Sequence, residues 1–273
     1  IEQTVTLPTS SNITRTGYTF GGWYSSSDFS GSAVTSIATS SYGAKTFYAK
    51  WTINSYTLTI KPNGGTYGGT TSDTTIIQNY NTTYSVANPA RTGYTFAGWT
   101  KSGEGSLSGT TFTFGAGNAT LTANWTVNNY TITSSPYSDT VYKTWAQGST
   151  LNGNAGTVSI NNVTGSPTVS ASIAYGTKVT LKAVANKGYK FVCWYYTNGV
   201  SFSESSTCTI TIDADTTKHT INAKFLIDIY TISFDANGGT INDSDNTRVV
   251  QKIDKYNTYD YDVNIYDSAR SSD

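Results

Sequence analysis

Apolar and polar residues alternate along this chain in short runs of period two. Tyr56, Leu58 and Ile60 fall on one face of a pleat, with Thr57 and Thr59 on the other. Phe47, Ala49 and Trp51 repeat the pattern, as do Cys208, Ile210 and Ile212. These runs predict half-buried strands. Asn63-Gly64-Gly65 and Asn237-Gly238-Gly239 each close such a run with residues that tolerate positive φ, which predicts a turn. Glycine inside the Tyr94–Trp99 run breaks the alternation and predicts a bulge that re-aims the tryptophan. No stretch of ten or more residues carries the period of an amphipathic helix. The prediction is a mainly β chain.

The runs recur in a fixed order. Arg15-Thr16-Gly17-Tyr18-Thr19-Phe20-Gly21-Gly22-Trp23 returns as Arg91-Thr92-Gly93-Tyr94-Thr95-Phe96-Ala97-Gly98-Trp99, a displacement of 76 positions from Arg15 to Arg91. Lys187-Gly188-Tyr189-Lys190-Phe191-Val192-Cys193-Trp194 is a weaker third copy. Each copy precedes an alternating run that ends in an aromatic at Trp51, Trp125 or Phe225. Each then leads to Tyr56-Thr57-Leu58, Tyr130-Thr131-Ile132 or Tyr230-Thr231-Ile232. This repeat sets the expected organisation. It comprises a partial module at 1–54, a complete one at 55–129, a longer one at 130–229 and a second partial one at 230–273. The third module spans 58 positions from Tyr130 to Gly188, against 37 from Tyr56 to Gly93. The excess lies between Tyr142 and Pro167.

The order Tyr-Thr…Asn-Gly-Gly-Thr, then Arg-Thr-Gly-Tyr-Thr-Phe-x-Gly-Trp, then Leu-x-Ala-x-Trp resembles the internalin-type B repeat, or Listeria–Bacteroides repeat. Residues 1–129 and 230–250 carry the resemblance, and 130–229 resemble its divergent form. The resemblance implies tandem small β-grasp-like modules in an elongated array, on surface proteins of bacteria and some archaea, serving as stalks or adhesive segments. It implies no catalytic residue and no cofactor.

Composition fits several small cores better than one large one. Hydrophobic residues are 37% of the chain, yet aromatics reach 14%, with 21 Tyr and 6 Trp. Each buried aromatic removes ~150–250 Å² from water. Seventeen basic and seventeen acidic residues cancel, so no charge excess draws the chain to nucleic acid or anionic lipid. No apolar run approaches the ~20 residues that span a bilayer. The first residues lack the pattern of a signal peptide and the sequence has no methionine, which points to a processed or excised piece.

Trp23, Trp51, Trp99, Trp125, Trp194 and Phe225 stand at module-equivalent positions and are expected to anchor cores. Trp145 has no repeat counterpart and is the candidate ligand contact, for a sugar or a protein. Cys193 and Cys208 are the only cysteines. On a straight alternation Cys193 shares a face with Tyr189 and Phe191, so neighbouring strands would bring the thiols together across a core. A disulfide and two buried reduced thiols both fit. Two cysteines and His219 make no zinc pattern. His219 is expected in a solvated turn, and Asp213-Ala214-Asp215 lacks the spaced glycine and distal glutamate of a calcium loop. Leu7-Pro8-Thr9-Ser10 reads as a linker strand, and Asn12, Asn81, Asn118, Asn124, Asn129, Asn162 and Asn242 begin Asn-x-Ser/Thr triplets.

The expected function is that of a non-catalytic extracellular or cell-surface repeat segment, with neighbouring copies or repeats and surface ligands as partners. Residues 1–54 lack a first hairpin, while 230–273 supply one. Joined head to tail between chains, the two would complete a module by strand complementation and propagate a filament. Residues 1–16 and 250–271 would compete for one strand position. The alternative is a carbohydrate- or protein-binding module that uses the insertion in 130–229.

Overall fold

The computed structural model describes residues 3–139, 149–151, 154–165 and 167–227. The chain divides into two compact units, Ile1–Thr126 and Val127–Asp273. Segment 230–273 and Trp145 lie outside the described residues.

The first unit contains β1 (Val5–Thr6), β2 (Tyr18–Tyr24), β3 (Ser36–Ile37), β4 (Tyr48–Ile53), β5 (Ser55–Lys61), β6 (Thr74–Asn79), β7 (Thr83–Ser85), β8 (Tyr94–Gly103), β9 (Ser106–Ser108), β10 (Thr111–Thr113) and β11 (Ala119–Val127). Its complete module is a four-stranded sheet in the order β6-β5-β11-β8, with a small sheet β7-β10-β9. The first and last strands, β5 and β11, run parallel at the centre of the larger sheet, Leu58 opposite Ala119 and Ile60 opposite Leu121. This is the strand order expected of a β-grasp sheet. The grasp helix is absent; Phe112 and Phe114, on and just after β10, join the core in its place. Leu58, Ile60, Val86, Leu121, Phe112 and Phe114 are all at most 2% exposed and belong to one core.

The partial module before it is a two-stranded antiparallel sheet, β2 on β4, beside a short β1–β3 pair. The bulge expected within Tyr94–Trp99 is seen in the equivalent run of this partial module. The β2–β4 register shifts between Phe20 and Trp23, and Gly22 adopts φ +110°. Gly98 repeats that conformation in β8, at φ +109°. The Asn63-Gly64 turn also has positive φ at both residues.

The second unit contains β12 (Asn129–Asp139), β13 (Ser149–Leu151), β14 (Gly156–Ile160), β15 (Val163–Gly165), β16 (Val169–Ala174), β17 (Lys178–Ala185), β18 (Tyr189–Tyr196), β19 (Ser201–Ser203), β20 (Thr207–Thr211) and β21 (Thr220–Ile227). A single 3-10 turn, Thr216–Lys218, is the only helical element among the described residues. The first sheet again centres on a parallel pair of first and last strands, β12 and β21, flanked by β16 and by β18. A second sheet, β15-β14-β17-β20, encloses the core from the other side.

The excess residues of this module are partly structural. Asn161 and Asn162, at φ +48° and +67°, form the two-residue turn of the β14–β15 hairpin, which extends the second sheet past β17. Ala155, Val158 and Ile160 of this insertion are at most 1% exposed. That part of it builds core.

Candidate functional site

The aromatic positions form one cluster per module. In the complete module Phe96 meets Trp99 and Trp125 edge to face, with ring centroids 5.2 and 5.7 Å apart. Trp125 Nε1 donates to the Pro62 carbonyl at 3.0 Å. A Cβ on Gly65 would lie 2.5 Å from the Trp125 ring, so the Asn-Gly-Gly turn needs glycine there for close approach. Tyr67 packs on Trp99 at 6.1 Å and is 6% exposed. Its burial, with the Tyr84 hydroxyl 3.4 Å away, pushes its pKa up to about 12.

In the partial module Phe20 meets Trp23 and Trp51, and Trp23 Nε1 donates to the Pro8 carbonyl at 2.7 Å. The Leu7–Ser10 stretch therefore works as an anchor for Trp23. In the third module Trp194 and Phe225 are fully buried around Phe191, and Trp194 Nε1 donates to the Ser205 carbonyl. Trp23, Trp51, Trp99 and Trp125 are half-buried. The six equivalent positions thus divide into two enclosed anchors and four that keep part of their rings in water.

A joint links the partial and complete modules inside the first unit. Gly17, at φ +78°, is buried beneath the ring of Tyr80. Asn54, between β4 and β5, donates its amide to the Gly17 carbonyl at 2.9 Å and accepts from the Tyr80 amide at 2.8 Å. Its side chain accepts from Thr19 Oγ1 at 2.6 Å. The Arg15 guanidinium lies over the Tyr18 ring, 3.8 Å from its centroid, as Arg91 does over Tyr94. The sequence repeats these residues without revealing that Tyr80 covers the glycine, because 63 positions separate Gly17 from Tyr80.

The cysteines depart from the expectation of a shared core. Both thiols are free. The β18–β21 register shifts between Phe191 and Cys193, so Val192 is accommodated as a bulge. Beyond it Cys193 stands opposite Lys224 and Trp194 opposite Ala223. Trp194 and Ala223 line the core, so Cys193 lies on the other face of the sheet. Cys208 packs on the core side. A sheet separates the two thiols, and burial raises the pKa of each.

The polar residues near the 3-10 turn are engaged with one another. Lys218 Nζ lies 3.0 Å from Asp213 and 3.4 Å from Asp215, and it holds the Asp213 carboxylate below its usual range. Asp215 caps the turn by accepting from Thr217, which lowers its pKa as well. His219, expected in solvent, is only 9% exposed. It packs on Tyr130 at 4.8 Å with Nε2 3.0 Å from the Asp213 carbonyl. The cluster is a structural clasp on the start of β21. Among the described residues, no three His, Cys, Asp or Glu side chains group as a metal site would.

Residues 1–50 and 56–128 match the sequence profile of the Listeria-Bacteroides repeat domain, and residues 152–228 match that of the divergent InlB B-repeat domain. A protein of Evansella cellulosilytica, named for a Gly-rich membrane protein, is 30% identical over 247 residues, which cover 84% of this chain and 24% of that protein. Internalin H of Listeria monocytogenes is 36% identical over 120 residues, covering 42% of this chain and 20% of its own length. The chain spans about a quarter or less of these relatives.

Proposed function

The chain belongs to the Listeria-Bacteroides repeat family, with a divergent InlB B-repeat as its third module, and from this we propose that it is a non-catalytic stalk or adhesive segment of an extracellular or cell-surface protein. The observation that carries the reading is the combination of tandem modules with separate cores and a built joint at Gly17 and Tyr80. Modules of this kind add length, and repeated weak contacts gain avidity with module number. Its partners are adjacent repeats and host or environmental surfaces. Protease treatment of intact source cells tests the location. Peptides from residues 3–227 should be released before lysis; peptides released only after lysis contradict the reading.

We also propose head-to-tail joining of chains by strand addition at β4. Two observations favour it. By the repeat alignment Lys45 corresponds to Ala119, yet β11 starts at Ala119 and β4 only at Tyr48. The three positions that face Leu58–Ile60 in the complete module are thus irregular in the partial one. Trp51 Nε1 also has no hydrogen-bond partner among the described residues, where Trp125 has the Pro62 carbonyl. Residues 230–240 repeat the pattern of 56–66 in sequence and lie outside the described residues. Such a contact is heterologous and would propagate as a filament. Sedimentation velocity of the purified chain should show a coefficient that climbs with concentration, and a concentration-independent monomer would rule it out.

A further inference from the structure

We propose that the paired first and last strands of each complete module form a shear clamp that keeps the module folded under tension. The inference rests on the stalk reading only for the source of the force. The rest is geometry. In the complete module of the first unit, β5 and β11 are parallel, with Leu58–Lys61 opposite Ala119–Thr122. In the third module, β12 and β21 are parallel, with Thr133–Ser138 opposite Thr220–Phe225. The chain enters each module at the start of its first strand and leaves at the end of its last. Because the two strands run the same way, those points lie at opposite ends of one ladder. Tension along the chain therefore slides one strand past the other and loads every ladder hydrogen bond together.

The clamp is also sheltered. β6 and β8 flank the first pair, and β16 and β18 flank the second. Leu58, Ile60 and Leu121 are fully buried beneath one ladder, as are Ile221 and Phe225 beneath the other. Water reaches a strained bond in such a ladder less readily than one at an open edge, so replacement of protein bonds by water bonds is slowed.

The partial module supplies an internal contrast. β2 and β4 are antiparallel, and Tyr18 stands opposite Ile53. The chain enters and leaves that pair at the same end, so tension opens it one bond at a time. Force along one chain thus meets two geometries. The order of release follows: residues 18–53 first, at low force, then the complete modules, with the six-pair ladder of the third outlasting the four-pair ladder of the first unit.

Single-molecule stretching of the intact chain from its two ends reads this order, since forced unfolding reports the barrier to unfolding rather than equilibrium stability. At ~3.6 Å per extended residue, the low-force step should release about 130 Å, and the two high-force steps about 260 and 350 Å. A second tethering tests direction. In a Cys193→Ser, Cys208→Ser chain, a handle at Asn79→Cys and one at the first residue load β5 against β6. Ser55 and Asn79 are register mates of that antiparallel pair, so this pull unzips it. Residues 55–79 should then release about 90 Å at low force, with no high-force step. If complete modules unfold at forces no higher than residues 18–53, or at the same force in both tetherings, the clamp is wrong. The cell-surface reading is judged separately, by protease release from intact cells.

Discussion

The ring of Tyr80 covers the α-carbon of Gly17 so closely that a Cβ there would lie 2.1 Å from the Tyr80 Cγ. With the Asn54 hydrogen bonds, this contact joins the second half of one repeat to the first hairpin of the next, and it requires glycine at position 17. Positive φ alone costs an L-residue ~1–2 kcal/mol. The clash adds to that. Gly17→Ala should therefore loosen residues 3–54 while leaving the 55–126 core intact. Limited proteolysis should cut within residues 18–53 at a protease dose the parent chain survives. Unchanged protection would show that Tyr80 does not hold the joint.

Cys193 and Cys208 should be two free thiols. Iodoacetamide should label both in denaturant without any reductant, and the native protein should react slowly, because burial raises the pKa of each. Melting should be unaffected by reductant. A crosslinked peptide containing both cysteines would contradict the opposite-face placement.

The tryptophans should differ in weight. Trp194 is fully enclosed, and Trp194→Ala should cost ~3–5 kcal/mol. Trp99 keeps part of its ring in water, so Trp99→Ala should cost less, ~1–3 kcal/mol on the same scale. Denaturant titration of the two variants measures both. Equal losses would mean that partial exposure of Trp99 carries no energetic meaning.

Tyr67 should make the complete module sensitive to alkali. Its pKa is raised from 10.0 to about 12, so the fold favours the neutral phenol. A raised folded-state pKa contributes stability that is fully present below pH 10.0 and lost as pH rises through about 12. Tyr67→Phe should remove this part of the alkaline loss. It should also cost ~1 kcal/mol at neutral pH through the lost hydrogen bond. An alkaline melting profile identical in parent and variant would contradict the burial of the Tyr67 hydroxyl.

The legible parts of this fold are those written in local chemistry. Tyr56-Thr57-Leu58-Thr59-Ile60 became β5, and Asn63-Gly64 became a turn with positive φ. Gly22 announced its bulge, and Gly98 its positive φ, because glycine marks a conformation other residues avoid. Val192 announces nothing, so straight alternation put Cys193 on the wrong face by one residue. Asn161-Asn162 between apolar runs is a hairpin signal within the insertion, weaker than Asn-Gly because neither residue is glycine. Recurrence of a tryptophan showed equivalence of place without distinguishing the enclosed Trp194 from the half-buried Trp99. The Tyr80 cover on Gly17 depends on two separate elements meeting in space, which no local pattern records.

The central claim is that each complete repeat is a folding unit with its own core, built on a parallel pair of first and last strands. Residues 55–126 prepared alone test it most directly. Thermal unfolding followed by near-ultraviolet circular dichroism should give one cooperative transition. Hydrogen exchange should be slowest at Leu58, Ile60 and Leu121, the centre of the β5–β11 ladder. A segment that shows no cooperative transition, or that protects β6 and β8 more strongly than β5 and β11, would contradict the account.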